Sequence, residues 1–324
     1  MAKFDISTPI GLNPNAFPPA YMRSSNATRR LFTLALCPAQ TLMYHAKTLY
    51  LFTKSDIKTI VIPITLFAWL SAPNTSMIQI LRASFWTWLQ LLHFCVSNQS
   101  LSPEEDKQNK PDRPLASGRL GLKQSRILRW LLLPLCVTLS VAFDVPSAGI
   151  SFAIHTFLYN EMGLNSHWST RNLLNALGYS SFDAGASVIA QAGGIPRQAA
   201  SVARQLSFWI VFTTIHAQDF YDEAGDRLDN RRTLPIVMPE VARVSMPIFM
   251  TAWSVILGIR WFSSVNALCA LCFALFGFGV GLRFYLYRSY QADKFSFLLY
   301  MVSTAISKPE LDSERESIDM VGNR

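Results

Sequence analysis

Asp219, Asp222 and Asp226 follow directly on the apolar run Leu206 to Ile215, within the stretch His216-Ala217-Gln218-Asp219-Phe220-Tyr221-Asp222-Glu223-Ala224-Gly225-Asp226-Arg227. Spaced three and then four residues apart, they share one stripe if the segment is helical. Carboxylates about 6 Å apart repel by roughly 3 kcal/mol per pair at an effective dielectric of about 20. Such a row persists cheaply where cations are expected between its members. Oxygen-only donors suit Mg²⁺, which takes a few carboxylates, keeps several waters and completes its shell with substrate phosphate. The plainer alternative is a wetted acidic loop neutralised by Arg227, Arg231 and Arg232.

A second set of oxygen donors stands far upstream. Asn98, Ser102 and Asp106 are spaced four and four, which would line one helix face with ligands for another cation. Pro103 interrupts that face. Ser102-Pro103-Glu104-Glu105 reads equally as a helix start, with Ser102 at the N-cap and Pro103 at the first helical position, so Ser102 is either a ligand or a cap. The following segment, Asn109 to Arg119, alternates Lys and Arg with Pro and Gly. Lys110 and Arg113 in such a semi-rigid loop can clamp a diphosphate, Arg through its planar fork and Lys as a point charge.

The elements that must position these groups are apolar helices. The chain has 324 residues, 50% hydrophobic and only 15% charged, against roughly 25% charged in soluble domains. Apolar stretches recur at Ile57 to Ala72, Met77 to Val96, Trp130 to Val145, Ala148 to Met162, Ala176 to Ala192, Leu206 to His216, Ile236 to Ile259, Asn266 to Leu282 and Phe295 to Ile306. Several fall short of the roughly 20 residues that cross a bilayer and must be extended through polar flanks facing a protein interior. The expected fold is therefore an all-α, polytopic membrane bundle of about nine transmembrane helices, with eight as the alternative. The predicted organisation is an interfacial arm over residues 1–54, a transmembrane domain over 55–306 and a disordered charged tail over 307–324.

Basic residues cluster in connections that fall on one side under that count: Arg23 to Lys58 before the first span, Lys107 to Arg129, Arg171, Arg227 to Arg232, and Arg283 to Lys294. The opposite connections carry Arg197, Arg204 and Arg260. This asymmetry places the N-terminus and the even connections in the cytoplasm. A net charge of +8 gathered on one face suits anionic headgroups or a diphosphate rather than nucleic acid, for which no basic-aromatic module is visible. No cleaved signal peptide is expected, because the N-terminal segment lacks an apolar core with a small-residue cleavage site. Five cysteines make no disulfide framework, and Cys269 with Cys272 reads as helix packing. Gly277, Gly279 and Gly281 have no preceding strand, which leaves a small-residue helix surface for close packing. Asn172, Asn175, Tyr179 and Asp183 put polar groups at membrane depth, where they pair or act.

Two acidic clusters at the ends of the second and sixth spans, each followed by a basic loop, resemble the UbiA superfamily of intramembrane prenyltransferases. The likeness rests on Asn109-Lys110-Pro111-Asp112-Arg113-Pro114-Leu115-Ala116-Ser117-Gly118, on the Asp219, Asp222, Asp226 series and on Arg231-Arg232-Thr233-Leu234-Pro235. It extends from about Asp56 to Ile306. It implies nine spans in two pseudo-repeats, a prenyl diphosphate held between two Mg²⁺-bearing motifs, and a lateral opening to lipid. The chain departs from the family where an Asp is usual after the Asn and again three residues later: Gln99 and Ser102 stand there. In that respect it is similar to the fungal membrane-bound terpene cyclases of the superfamily. The spacing also resembles the Asn/Ser/Glu triad of soluble class I cyclases, in spacing and not in fold.

The resemblance implies Mg²⁺-dependent ionisation of a linear isoprenyl diphosphate, farnesyl or geranylgeranyl, followed by cyclisation in terpenoid biosynthesis. Asp219, Asp222 and Asp226 on one side and Asp106, Ser102 and Asn98 on the other would hold metal, with Lys110, Arg113 and Arg227 adding contacts to the diphosphate. The expected setting is the endoplasmic reticulum membrane, with the site facing the cytoplasm. An aromatic prenyltransferase that transfers to a phenolic acceptor is the alternative reading, and a transporter or non-catalytic scaffold the third. Chain length of the substrate, ring skeleton and oligomeric state are not legible.

Overall fold

A computed structural model describes residues 39–72, 75–192, 198–262 and 267–306. The chain divides between Lys47 and Thr48. The described part of the first unit, residues 39–47, is helical. Residues 48–53 of the expected interfacial arm continue that helix, while residues 1–38 and the charged tail from residue 307 lie outside the described residues.

In the second unit every described element is helical, and each of the nine apolar stretches falls on a helix. A π-helical turn, Ile57–Val61, leads into α1, Ile62–Leu70; α2 is Met77–Leu101 and α3 the short Pro103–Asn109. Then come α4 (Leu122–Ala142), α5 (Pro146–Asn160), α6 (Trp168–Ala190) and α7 (Gln198–Thr214). After a single 3₁₀ turn, Ile215–Gln218, α8 runs over Asp219–Leu228, followed by α9 (Pro239–Leu257), α10 (Ala267–Leu286) and α11 (Tyr290–Ile306).

The helices keep apolar side chains on their outer faces as well as in the core, and bury polar groups among them. On α2, Thr87, Gln90, Ser97 and Ser100 are buried, while Leu81 and Phe85 face outward; on α4 and α5, Ile127, Leu131, Leu135, Ile150 and Ile154 are exposed. Long apolar faces turned outward from a polar-containing interior are what a hydrocarbon surrounding accommodates. By length and composition, three segments can cross a bilayer: Leu122–Ala142, Pro239–Arg260 and Ala267–Leu286.

Packing follows small residues and buried aromatics. Trp86 of α2 is fully buried and donates its indole N–H to Ser140 Oγ of α4 at 2.9 Å. α9 and α10 meet at Gly277 and Gly281, where a Cβ on Gly281 would lie 2.5 Å from Pro247 Cα. Gly277 and Gly281 therefore serve close helix approach, whereas a Cβ on Gly279 would meet nothing within 4 Å; Cys269 and Cys272 are exposed on α10 and do not pack inside, contrary to the expectation for that pair.

The even connections gather at one end of the bundle, as the charge asymmetry requires. The α5–α6 loop pairs with the segment after α8: Arg232 N–H donates to Ser166 O at 2.6 Å and Trp168 N–H to Arg232 O at 2.9 Å. Arg288, between α10 and α11, pairs with Glu240 at the start of α9. At the other end Thr75 Oγ1 donates to Ala190 O at 2.6 Å. These closures put the C-terminus of α2, α3, the N-terminus of α6, and α8 around one mouth.

Candidate active site

α7 does not continue straight into the acidic row. Thr214 leaves helical geometry at φ −124°, and the 3₁₀ turn re-aims the chain so that α8 starts at Asp219. All three aspartates then lie on one short helix, with Asp219 and Asp222 in its first turn, where the positive end of the helix dipole favours them. Behind them α8 is held by Phe220, over whose ring the Arg243 guanidinium stacks at 3.9 Å. Arg243 is itself fixed by a two-pronged ion pair with Asp293 of α11.

Asp219 and Asp226 are fully buried and Asp106 is 1% exposed. Each has one oxygen tied to an arginine. Arg171, at the start of α6, donates Nε and Nη2 to Asp219 Oδ1 at 3.1 and 3.0 Å, and lies 3.9 Å from Asp226 Oδ1. Arg231 donates to Asp226 Oδ1 at 2.9 Å, and Arg113 to Asp106 Oδ1 at 2.6 Å. The second oxygen of each carboxylate, Oδ2 of Asp106, Asp219 and Asp226, is buried without a hydrogen-bond partner. A buried carboxylate oxygen with nothing donating to it is costly. Burial pushes the Asp219 carboxyl well above the usual carboxylate range against the opposing pull of Arg171, with Asp226 adding to the rise. Asp106 is raised by burial with Arg113 opposing, and Glu105 by burial with Arg231 opposing.

The two motifs converge. Lys110, just past α3, bonds Asp222 Oδ2 of α8 at 3.1 Å. Arg231 joins Glu105 at 2.8 Å to Asp226 at 2.9 Å, so the residue beside Asp106 and the last member of the acidic row share one guanidinium. Asp106 and the Asp219 series therefore belong to one charged mouth. The single stripe expected over Asn98, Ser102 and Asp106 is not continuous, however. Ser102 sits at φ −122°, ψ 57° between α2 and α3, where Pro103 begins the new helix, and its side chain makes no capping bond. Asn98 and Ser102 instead line a polar cavity of about 360 Å³ with Asn160, Asn165, Asp229 and Arg231, and Asn98 Nδ2 donates to Asn160 Oδ1 at 3.1 Å.

Arg227 stands apart from the cluster. It is exposed and pairs with Glu223 one helical turn away at 2.6 Å. Its expected place against the acidic row is taken by Arg171 and Arg231. Arg171 carried no local signal except its nearness to Asn172 and Asn175, and Glu105 was hidden in what reads as a helix-starting pair of glutamates.

The residues present fit a hard divalent cation. Three carboxylates each offer one unsatisfied oxygen, while Asn98 and Ser102 add neutral oxygens nearby. Among the described residues, no three acidic, histidine or cysteine side chains converge on one point, and Arg113, Arg171 and Arg231 each hold one oxygen of the three buried aspartates. A polyanionic substrate gives those guanidinium groups a second partner, which is the arrangement a metal-diphosphate complex needs.

Below this mouth the interior turns aromatic. Phe94, Phe152, Tyr159 and Phe182 wall a cavity of about 50 Å³, with ring centroids 4.3 Å apart for Phe152 and Phe182 and 5.3 Å for Phe94 and Tyr159. Tyr159 also faces the Arg171 guanidinium at 5.9 Å. Tyr179 borders both this cavity and a neighbouring apolar one of about 30 Å³ that reaches α7 and α11. The site thus joins a charged rim rich in cationic donors to an apolar, aromatic-walled interior.

Comparison with known proteins places the sequence and fold. A family model described as the UbiA prenyltransferase family matches residues 60–304. The chain is 35% identical over 216 residues to the fumagillin beta-trans-bergamotene synthase of Aspergillus fumigatus, covering 66% of this chain and 75% of that one. To the somaliensene A/B synthase of Streptomyces somaliensis it is 31% identical over 204 residues, 59% of this chain and 65% of that one. A diterpene cyclase of Hericium erinaceus matches at 29% over 203 residues, 59% and 63% of the two chains. In fold, the chain is similar to a UbiA homolog from Archaeoglobus fulgidus solved with GPP and Mg²⁺, at TM-score 0.59, 15% identity and coverage of 81% and 98%. A digeranylgeranylglyceryl phosphate synthase structure matches at TM-score 0.59, 16% identity and the same coverage.

Proposed function

Since the chain belongs to the UbiA prenyltransferase family, we propose that it is a membrane-embedded terpene cyclase that ionises a linear prenyl diphosphate and closes the resulting cation on its own double bonds. Three relatives carry the names of terpene synthases or cyclases, which supports intramolecular cyclisation over transfer to a phenolic acceptor. The observation that carries the assignment is the set of three buried carboxylates, each with one oxygen on an arginine and the other unpartnered.

Asp106, Asp219 and Asp226 would hold Mg²⁺ through those free oxygens, joined by Asp222 and by Asn98 and Ser102 from the polar cavity. Bound there, the metal would neutralise the departing diphosphate and lower the cost of breaking the C–O bond. Lys110, Arg113, Arg171 and Arg231 turn from carboxylate to phosphate oxygens as substrate enters, so the leaving group meets donors already in place. Phe94, Phe152, Tyr159 and Phe182 present ring faces to the allylic cation and keep bulk water from capturing it. Eight long helices and the shorter segment Ile57–Leu70 among the described residues would each cross the bilayer, and the charged mouth would open to the cytoplasm from the endoplasmic reticulum membrane.

Microsomes carrying the full chain, given farnesyl or geranylgeranyl diphosphate and Mg²⁺ without any acceptor, are expected to release pyrophosphate and a cyclic hydrocarbon detectable by gas chromatography with mass detection. Product that forms only when a phenol is added would overturn cyclisation in favour of aromatic prenylation. Absence of Mg²⁺-dependent pyrophosphate release from either substrate would remove the enzymatic reading altogether.

A further inference from the structure

Five residues before the end of α5, His155 lines the aromatic cavity together with Thr156, and Asn175 faces it from α6. At 1.5 Å per residue, His155 lies about 7.5 Å below Asn160 at the charged mouth, and Asn175 about 6 Å below Arg171. This polar corner is therefore close to where the cation is formed, and where a ring-closing chain returns to its first carbon.

Two of its groups are unsatisfied. Thr156 is 3% exposed and its Oγ1 has no partner; Asn175 Nδ2 is likewise buried and unpaired. Buried polar atoms in a native interior are normally satisfied by protein or by ordered water. A cavity of about 50 Å³ exceeds the roughly 10–15 Å³ that one water requires, and it offers polar partners. His155 Nδ1 lies 3.5 Å from Ser181 Oγ, whose hydroxyl also meets Leu177 O at 3.0 Å and Ser151 Oγ at 3.1 Å. A neutral imidazole keeps a lone pair on the ring nitrogen that carries no hydrogen, so His155 can accept a proton there.

On the premise that the chain ionises and cyclises a prenyl diphosphate, we propose that His155, Thr156 and Asn175 form the terminating base of the cyclase. One water is seated by Thr156 Oγ1 and Asn175 Nδ2, and the ring nitrogen of His155 that carries no hydrogen is the final proton acceptor. The C–H bond next to the last cationic carbon breaks and its electron pair forms the new C=C bond. The proton passes to the water, which hands one of its own to that nitrogen, so that water is regenerated and imidazole becomes imidazolium. No oxidant or further reactant enters. The rival acceptor is the released diphosphate at the mouth, which would make the corner dispensable.

The test compares His155→Phe, which keeps a ring but no base, His155→Gln, which keeps polarity, and the double variant Thr156→Val with Asn175→Leu. Each is expressed as the full chain in microsomes and fed farnesyl and geranylgeranyl diphosphate with Mg²⁺. Pyrophosphate release is expected to stay within about threefold of wild type, since the base acts after ionisation. The share of the main olefin should fall by about fivefold or more in favour of other double-bond isomers or alcohols. Product share is read per pyrophosphate released, so a smaller amount of folded enzyme does not move it. An unchanged profile overturns the proposal and leaves diphosphate as the base. Loss of pyrophosphate release in both His155 variants also overturns it, as does a wild-type alcohol that takes its oxygen from labelled water. A wild-type chain that releases no pyrophosphate sinks the cyclase reading itself, a failure distinct from these.

Discussion

The two halves of the charged mouth are built differently. Asp219, Asp222 and Asp226 occupy one uninterrupted helix, backed by the Arg243 to Asp293 ion pair and the Phe220 ring. The half contributed by α2 and α3 has one aspartate, Asp106, beyond a helix break at Ser102, with Asn98 turned toward Asn160. One half is an unbroken row of carboxylates; the other is jointed and mixes the neutral donors Asn98 and Ser102 with the ion-paired Glu105 and Asp106. The difference suggests that metal affinity is concentrated on the α8 side, while the α2–α3 side closes over the substrate.

The sharpest way to break that comparison is to delete charge on the α8 side. Asp219→Ala or Asp222→Ala is expected to lower pyrophosphate release by at least about 10³-fold, the loss typical when a main electrostatic stabiliser of a leaving group is removed. Asp106→Asn should cost less, about 10²-fold, and raise the Mg²⁺ concentration needed for half-maximal rate. Equal losses in the two would erase the asymmetry, and near-normal turnover in either α8 variant would remove the metal assignment.

Arg171→Met probes stability as well as turnover. It leaves Asp219 and Asp226 buried beside each other with one counter-charge fewer, and breaking a buried pair in this way costs about 3–5 kcal/mol. The expected readout is loss of the monodisperse, detergent-extracted protein on heating. Added Mg²⁺ with pyrophosphate should restore part of it, because a ligand that binds only the folded chain stabilises by mass action. Arg113→Met, beside the lone Asp106, should lose less. Ser102→Asp tests the jointed half from the other direction. A carboxylate on the polar cavity opposite Arg231 is expected to lower the half-saturating Mg²⁺ about threefold with little change in maximal rate.

Much of this was legible from residue spacing. The apolar stretches, the side on which basic residues gather and the aspartate row all depend on local periodicity, which a sequence displays directly. The break at Ser102 was half legible: Pro103 marked it, but only the backbone shows that Asn98 and Asp106 are thereby turned to different neighbours. Arg171 could not be found locally. Its partner is Asp219, on a helix one span further along the chain, and a pairing over that distance leaves no trace in either segment. The same holds for His155, whose role depends on the rings of α2 and α6 around it.

Arg227, expected to contact the diphosphate, is exposed on α8 and defines the smallest expected effect. Following Asp226 directly, it reads as a counter-charge to the acidic row. A helix turns about 100° per residue, so adjacent side chains point away from each other and Arg227 finds Glu223 one turn back. Both partners are solvent-accessible, and an exposed pair of this kind contributes little to anything beyond its own surface. Arg227→Ala is therefore expected to leave pyrophosphate release within about twofold of wild type, whereas Arg231→Ala, which removes the contact joining Glu105 to Asp226, should cost at least about tenfold. If the two variants were equally impaired, the mouth would have to extend around α8 to its outer face, and the charge on that face would have to rotate inward when substrate binds.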